Sequence, residues 1–457
     1  MMSADTTGSI NSEILVDNIE NDEEVVDDSE ERELVTDACS TKVLDNGDQP
    51  VDRYGIVYML FYLFGITSLV PWNFLITAND YWMYKFREVT PSNMTMVVRK
   101  TQFQAEFTSY LNVATAIPNL VFLILNSFYG HLVPIKARLN GALIIVTIAF
   151  LVTTVLVQVN TDDWQNEFFI ITMVTVVIMT AAAAVFIGGL VGIASKLPRE
   201  YMAVVMSGQA LGGIIAAIAQ IISLAFKISP QHSALIYFII ADMMVILSLI
   251  SFASLHKIDF FAYHMIRSNG GISLNRHREA SVPVIMKKIW VYGFSIFAVF
   301  GISMAVYPAV TVLVESHPTT KGTDWNNIFF VPVVNYLIFN CGDYSGRLVA
   351  GFLMRPSNEW IIAAGSILRV IGIPMLMLCN AHPRKHLPVL FLWDWEYIII
   401  MIFFSFTNGY LTNITMINST RAVEYHEREK ASSIMSTLLS VGLTVGAAVG
   451  MLLVRML

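Results

Sequence analysis

Eleven apolar stretches, each about as long as a bilayer is thick, follow one another along this chain. They cover approximately 56–78, 105–127, 138–160, 168–195, 201–226, 233–256, 289–314, 327–352, 359–379, 396–418 and 433–455. A helix needs about 20 mostly apolar residues to cross the hydrocarbon core. The stretches are continuously apolar and lack the two-residue alternation of barrel strands. Where no water can satisfy backbone groups, such segments must be helices. The predicted fold class is an all-α membrane protein with eleven transmembrane helices. Small residues recur within them, as in Ala181 to Ala184 and Gly188-Gly189, and let helices approach closely in lipid.

Charge separates the rest of the chain from these spans. Only 14% of the 457 residues are charged, against about 25% in an average soluble chain. The net charge of −7 hides a split: residues 1–52 carry −14 and residues 53–457 carry +7. The first segment has no aromatic residue and no apolar period, so it predicts a solvated, disordered cytosolic tail. It lacks the basic start and apolar core of a signal peptide. The basic excess elsewhere is thin and scattered, which argues against nucleic acid as a partner. Cysteines at 39, 341 and 379 are odd in number and have no zinc spacing, so neither a disulfide framework nor a metal site is expected. No Gly-x-x-x-x-Gly-Lys loop offers an ATP site, and His426-Glu427-Arg428-Glu429 is not the zinc motif His-Glu-x-x-His. No cofactor and no enzyme activity are expected.

Lys and Arg concentrate in cytosolic loops. With the tail in the cytosol, the connections on that side hold 14 Lys/Arg and those opposite hold 9. The bias predicts a cytosolic N-terminus and, after eleven crossings, an extracellular C-terminus. The longest cytosolic connection, 257–288, then divides a six-helix bundle (53–256) from a five-helix bundle (289–457). Asn93-Met94-Thr95, a glycosylation sequon, falls in the first outer loop. The sequons at Asn413 and Asn418 fall at the inner end of the tenth span and are expected to stay unmodified. The plasma membrane is the expected location.

Charges at bilayer depth cost about 2.5–3.5 kcal/mol each and tend to mark pathways. Asp343 and Arg347 share one face of the eighth span at i, i+4 spacing. Carboxylate and guanidinium together suit a polyhydroxylated ligand such as a ribose. They equally suit a structural ion pair, with Arg369 of the ninth span as a further partner. Asp242 in the sixth span is either a proton-coupling carboxylate or a hydrogen-bonded packing residue. Trp72 follows Pro71, which breaks the first helix. It reads either as an interfacial belt residue or as the edge of a cavity. Asn119 and Gln209 are polar enough to tie helices together.

Five motifs in order resemble the equilibrative nucleoside transporter family. They are Pro71-Trp72-Asn73-Phe74; Leu197-Pro198 with Met206-Ser207-Gly208-Gln209; Tyr307-Pro308-Ala309-Val310-Thr311; Phe339-Asn340 with Asp343, Gly346 and Arg347; and Asn408-Gly409-Tyr410-Leu411. The resemblance runs from about Asp52 to Leu457. It implies a major-facilitator-like fold in a 6+5 arrangement that carries nucleosides such as adenosine and uridine by alternating access, without ATP. It also implies that Trp72 lines the central cavity and that Asp343 and Arg347 engage the ribose. Arg138 would join their polar network, Leu443 would line the base pocket, and Asn340 and Glu429 would close the inner gate. The chain departs from the best-studied mammalian members at Ile187, where they carry a base-contacting glutamine. Ala116 and Asn119 replace larger apolar residues, and Asn119 offers a substitute polar contact. Gln209 is neutral where a monoamine-carrying branch is acidic. Asp242 keeps an organic-cation carrier and a proton-coupled nucleoside or nucleobase carrier as alternatives.

Overall fold

A computed structural model describes residues 50–87, 102–265, 281–320, 322–382, 384 and 387–457. The acidic run up to residue 49, the Asn93 sequon and linker residues 266–280 lie outside the described residues. The helices are α1 (Ile56–Thr77), the short α2 (Asn79–Lys85), α3 (Gln102–Tyr129), α4 (Ile135–Gln158) and α5 (Gln165–Lys196). Next come α6 (Arg199–Ala225), α7 (Pro230–Leu255) and α8 (Val282–Val306). The last are α9 (Phe339–Leu353), α10 (Glu359–Leu368), α11 (Gly372–Met377), α12 (Asp394–Ser419) and α13 (Arg428–Met456). Only two isolated β-bridges, Val314 to Ala381 and Cys379 to Phe391, interrupt the helical architecture among the described residues.

Local chemistry sets several helix starts. Asp52 accepts hydrogen bonds from the backbone N–H of Val57 (3.1 Å) and Tyr58 (2.9 Å), so it caps the free donors of α1. Tyr201 Oη donates to the same carboxylate at 2.8 Å and ties the start of α1 to α6. Ser229 precedes Pro230 at the head of α7, the order in which a cap and a preset φ favour initiation.

Ten described helical segments are long and apolar enough to cross a membrane. The predicted eighth span is the exception to the expected eleven. It is divided between a π-helical segment, Val331–Ile338, and the 15-residue α9. Asn335, Asn340, Asp343 and Arg347 lower its apolar content, because polar groups in lipid must find partners rather than face acyl chains.

Helix pairing repeats along the chain. α1 packs on α6 and α3 on α5 in the first half; α8 packs on α13 and α9 on α12 in the second. Counted as spans, both halves join first to fifth and second to fourth. Small residues permit the close approach. A Cβ on Gly208 would stand 2.5 Å from the Tyr62 carbonyl oxygen. One on Gly446 would stand 2.3 Å from that of Gly301, and one on Gly409 only 1.8 Å from that of Asp343. The halves meet along two seams related in the same way, α6 against α9 and α3 against α13. One hydrophobic core, with Phe61, Phe64, Val205, Ile289 and Met435 fully buried, joins both halves. A second core, around Val306, Val310, Val334 and Tyr397, fills the other end of the C-terminal helices.

Candidate substrate site and gate

The α6–α9 seam holds a buried ion pair. Asp343 and Arg347 are each 5% exposed. Arg347 Nε donates to Asp343 Oδ2 at 2.9 Å across one turn of α9. Asn408 of α12 donates to Asp343 Oδ1 at 2.6 Å, where Gly409 lets the helices touch. Ser303 of α8 donates to Asn408 at 2.7 Å, and Arg369 donates to Ser303 at 2.7 Å. Arg369 therefore joins the Asp343 network through intermediaries and not as a direct ion-pair partner. Across the seam, Arg347 Nη1 donates to the Met206 carbonyl at 2.7 Å and lies 3.5 Å from Gln209 Oε1. Arg347 Nη2 donates to no described residue, and Asp343 has used two of its roughly four acceptor directions. A donor and an acceptor side by side match a vicinal diol.

The α3–α13 seam is uncharged at its middle. Asn119 donates to Ser440 Oγ at 3.0 Å, one turn from Leu443. Asn126 and Ser127 meet Ser433 at 3.3 and 2.8 Å, and Ser127 meets Thr437 at 3.0 Å. Beyond them the seam ends in charge. Glu429 accepts from Arg138 at 3.1 Å and from Lys196 at 2.6 Å. Tyr425 Oη donates to the Lys196 carbonyl at 2.8 Å and adds a second tie at that end.

The predicted site residues thus fall into separate groups. Asp343 and Arg347 come together on α9. Asn119 meets Ser440 of α13 on the other seam, and Leu443 is half-buried one turn along α13 from that contact. Arg138 pairs with Glu429 and is not brought to Asp343. Asn340 is not beside Glu429: its amide donates to the Tyr336 carbonyl at 2.8 Å, and its side chain packs against Gly213 midway along α6. Trp72 is half-buried on α1. Its neighbour Asn73 faces Gly212, with a buried amide nitrogen that has no hydrogen-bond partner among the described residues. Ile187 packs against the large core. Asp242 lies between α7 and α4, where Oδ2 accepts from Thr154 at 2.7 Å and Oδ1 is buried without a partner.

Three groups of participants escaped the sequence reading. Lys196 looks like an ordinary end-of-helix lysine until Glu429 is placed beside it. Tyr62 and Tyr344, 282 residues apart, share a 2.5 Å hydrogen bond between α1 and α9. The Ser433, Thr437 and Ser440 hydroxyls repeat at three and four residues, a signal of one polar helix face.

Comparison with known proteins joins these features to one family. A sequence model described as nucleoside transporter matches residues 173–282 and 273–455. Equilibrative nucleoside transporter 1 of Rattus norvegicus is 33% identical over 455 residues, covering 89% of this chain and 98% of the relative. The Homo sapiens protein of that name is 31% identical, covering 87% and 97%. Equilibrative nucleoside transporter 2 of Homo sapiens is 30% identical, covering 89% and 98%. Among solved structures, the major facilitator superfamily proton:xylose symporter XylE superposes with a TM-score of 0.58 at 11% identity, covering 86% of each chain. The E. coli fucose:proton symporter FucP superposes at 0.53 and 13% identity, covering 88% and 98%. These two likenesses concern the fold alone, which is that of the major facilitator transporters. A repeated helical pairing, two polar seams and near full-length similarity to curated relatives converge: the chain belongs to the equilibrative nucleoside transporter family.

Proposed function

We propose that this protein is a facilitative carrier of nucleosides such as adenosine and uridine, and not an enzyme. Family membership over almost the whole chain is the observation that carries the reading. A nucleoside crosses lipid slowly because its hydroxyls and base amides must shed water. Asp343 and Arg347 supply replacement hydrogen bonds to the ribose. Trp72, Asn119 and Leu443 supply the base contacts, with Asn119 in place of the polar group lost at Ile187. The bundles 53–256 and 289–457 rock about this site and expose it to each side in turn. Glu429, with Arg138 and Lys196, latches the inner end, and Asn340 of α9 sits deeper, against α6. The N-terminus lies in the cytosol, the C-terminus outside, Asn93 carries glycan, and the plasma membrane is the location. No ATP, cofactor or nucleic acid takes part.

Asp242 lies on α7 against α4, away from both seams, which favours a packing role over proton coupling. The test is uptake of labelled adenosine and uridine by transport-deficient cells at two external pH values, with Asp242→Asn and Trp72→Ala beside the wild type. Saturable uptake at both pH values, preserved in Asp242→Asn and lost in Trp72→Ala, is expected. Uptake confined to acid pH and lost in Asp242→Asn would make this a proton-coupled carrier instead. Uptake of a monoamine in place of nucleosides would overturn the cargo.

A further inference from the structure

At the end of the molecule that carries Glu429, a small open cleft lies between the two halves. Leu197, Arg199 and Met202 line it from the α5–α6 turn, and Ile417, Arg421 and Arg428 from the α12–α13 turn. Three arginine side chains therefore line one small space, Arg199 and Arg421 exposed and Arg428 half-buried. None makes an ion pair among the described residues. Arg199 reaches only the Met354 sulfur, at 3.7 Å, and Arg428 lies over the Tyr425 ring at 4.9 Å. Arg428 Nε is buried and has no hydrogen-bond partner among the described residues. Burial, and then the neighbouring Arg199 and Arg428, push the Arg421 pKa down; the opposing influence of Glu200 is the smallest of the four. Solvent screens part of this mutual repulsion, and a bound anion would relieve the rest. The helices α6 and α13 also begin here, at Arg199 and Arg428, with the positive ends of their dipoles turned to the same region.

We propose that this cleft binds a phosphoryl anion, offered either by a lipid headgroup or by a free phosphate. Planar guanidinium forks match phosphate oxygens better than they match a spherical ion. None of the residues lining it belongs to the proposed substrate site, which separates the two. Exposed Phe352 and Leu353 at the end of α9, just before Met354, place apolar surface beside it for an acyl chain. Because both halves line the cleft, a bound anion favours the arrangement in which this end is closed.

The experiment is thermal unfolding of the purified full-length protein in detergent, without nucleoside. Inorganic phosphate and a short-chain phosphatidylinositol phosphate are titrated separately. Saturable stabilisation by the lipid alone supports a headgroup, and stabilisation by both supports free phosphate. An Arg421→Gln/Arg428→Gln double variant should bind about tenfold more weakly or worse, the effect of losing charge-assisted hydrogen bonds. If that variant does not fold, Arg199→Gln, whose one hydrogen bond among the described residues is to the Met354 sulfur, should show a weaker shift of the same kind. Arg455→Gln, at the opposite end of α13, should bind as the wild type does. Stabilisation by neither ligand, or undiminished stabilisation in the arginine variants, overturns the proposal. Nucleoside uptake is measured separately, so failure of the carrier reading leaves this result standing.

Discussion

Arg347 shows how much one side chain can connect. It pairs with Asp343 on its own helix and reaches the Met206 carbonyl on α6, 141 residues away in sequence. Removing either partner of a buried pair typically costs about 3–5 kcal/mol, because the other charge is stranded. Arg347→Lys keeps the charge and loses the planar fork that serves both partners at once. Uptake by Arg347→Lys, normalised to protein at the surface, is expected to fall at least about tenfold, the loss of a single charge-assisted hydrogen bond. Uptake equal to the wild type would show that the fork is not needed. The Asp343–Arg347 pair was legible in the sequence because i, i+4 spacing on a helix guarantees proximity. Met206, Asn408 and Ser303 were not, because no spacing rule relates residues on different helices.

Close packing of α9 on α12 depends on Gly409. An added Cβ would lie 1.8 Å from the Asp343 carbonyl oxygen, and the atom it meets is backbone. Relief requires the two helices to separate, and that moves Asn408 off Asp343. Overpacking of this kind typically costs about 1–3 kcal/mol. Gly409→Ala should lower the melting temperature in detergent and reduce uptake per molecule; an unchanged melting curve would refute the close approach. The sequence marked the helices well because continuous apolar runs in lipid allow only helix. It read 327–352 as one more apolar span; there the helix is π-wound in its first half and carries polar side chains that answer to neighbours rather than to lipid, while ten other described segments meet the length and apolarity of a crossing.

The two halves are held at one end by Glu429 with Arg138 and Lys196, and along α3 and α13 by hydroxyls. A partly exposed ion-pair triad is worth little in water, so it suits a latch that must open. Glu429→Gln removes the charge that holds both cations. In a Cys341→Ser background, Ser433→Cys should react faster with a membrane-impermeant thiol reagent once Glu429→Gln is added. An unchanged rate would mean that the triad does not control this end. The sequence by itself determined that the chain crosses a membrane many times, that its helices pack through small residues, and that Asp343 and Arg347 share a helix face. Those properties follow from local composition and helical periodicity, which neighbours cannot alter. Only the tertiary structure decided that Arg138 belongs with Glu429, that Asn340 sits against α6, and that Asp242 faces α4. Each of these depends on which helix comes alongside, and in lipid that choice rests on close packing and polar satisfaction between residues far apart in the chain.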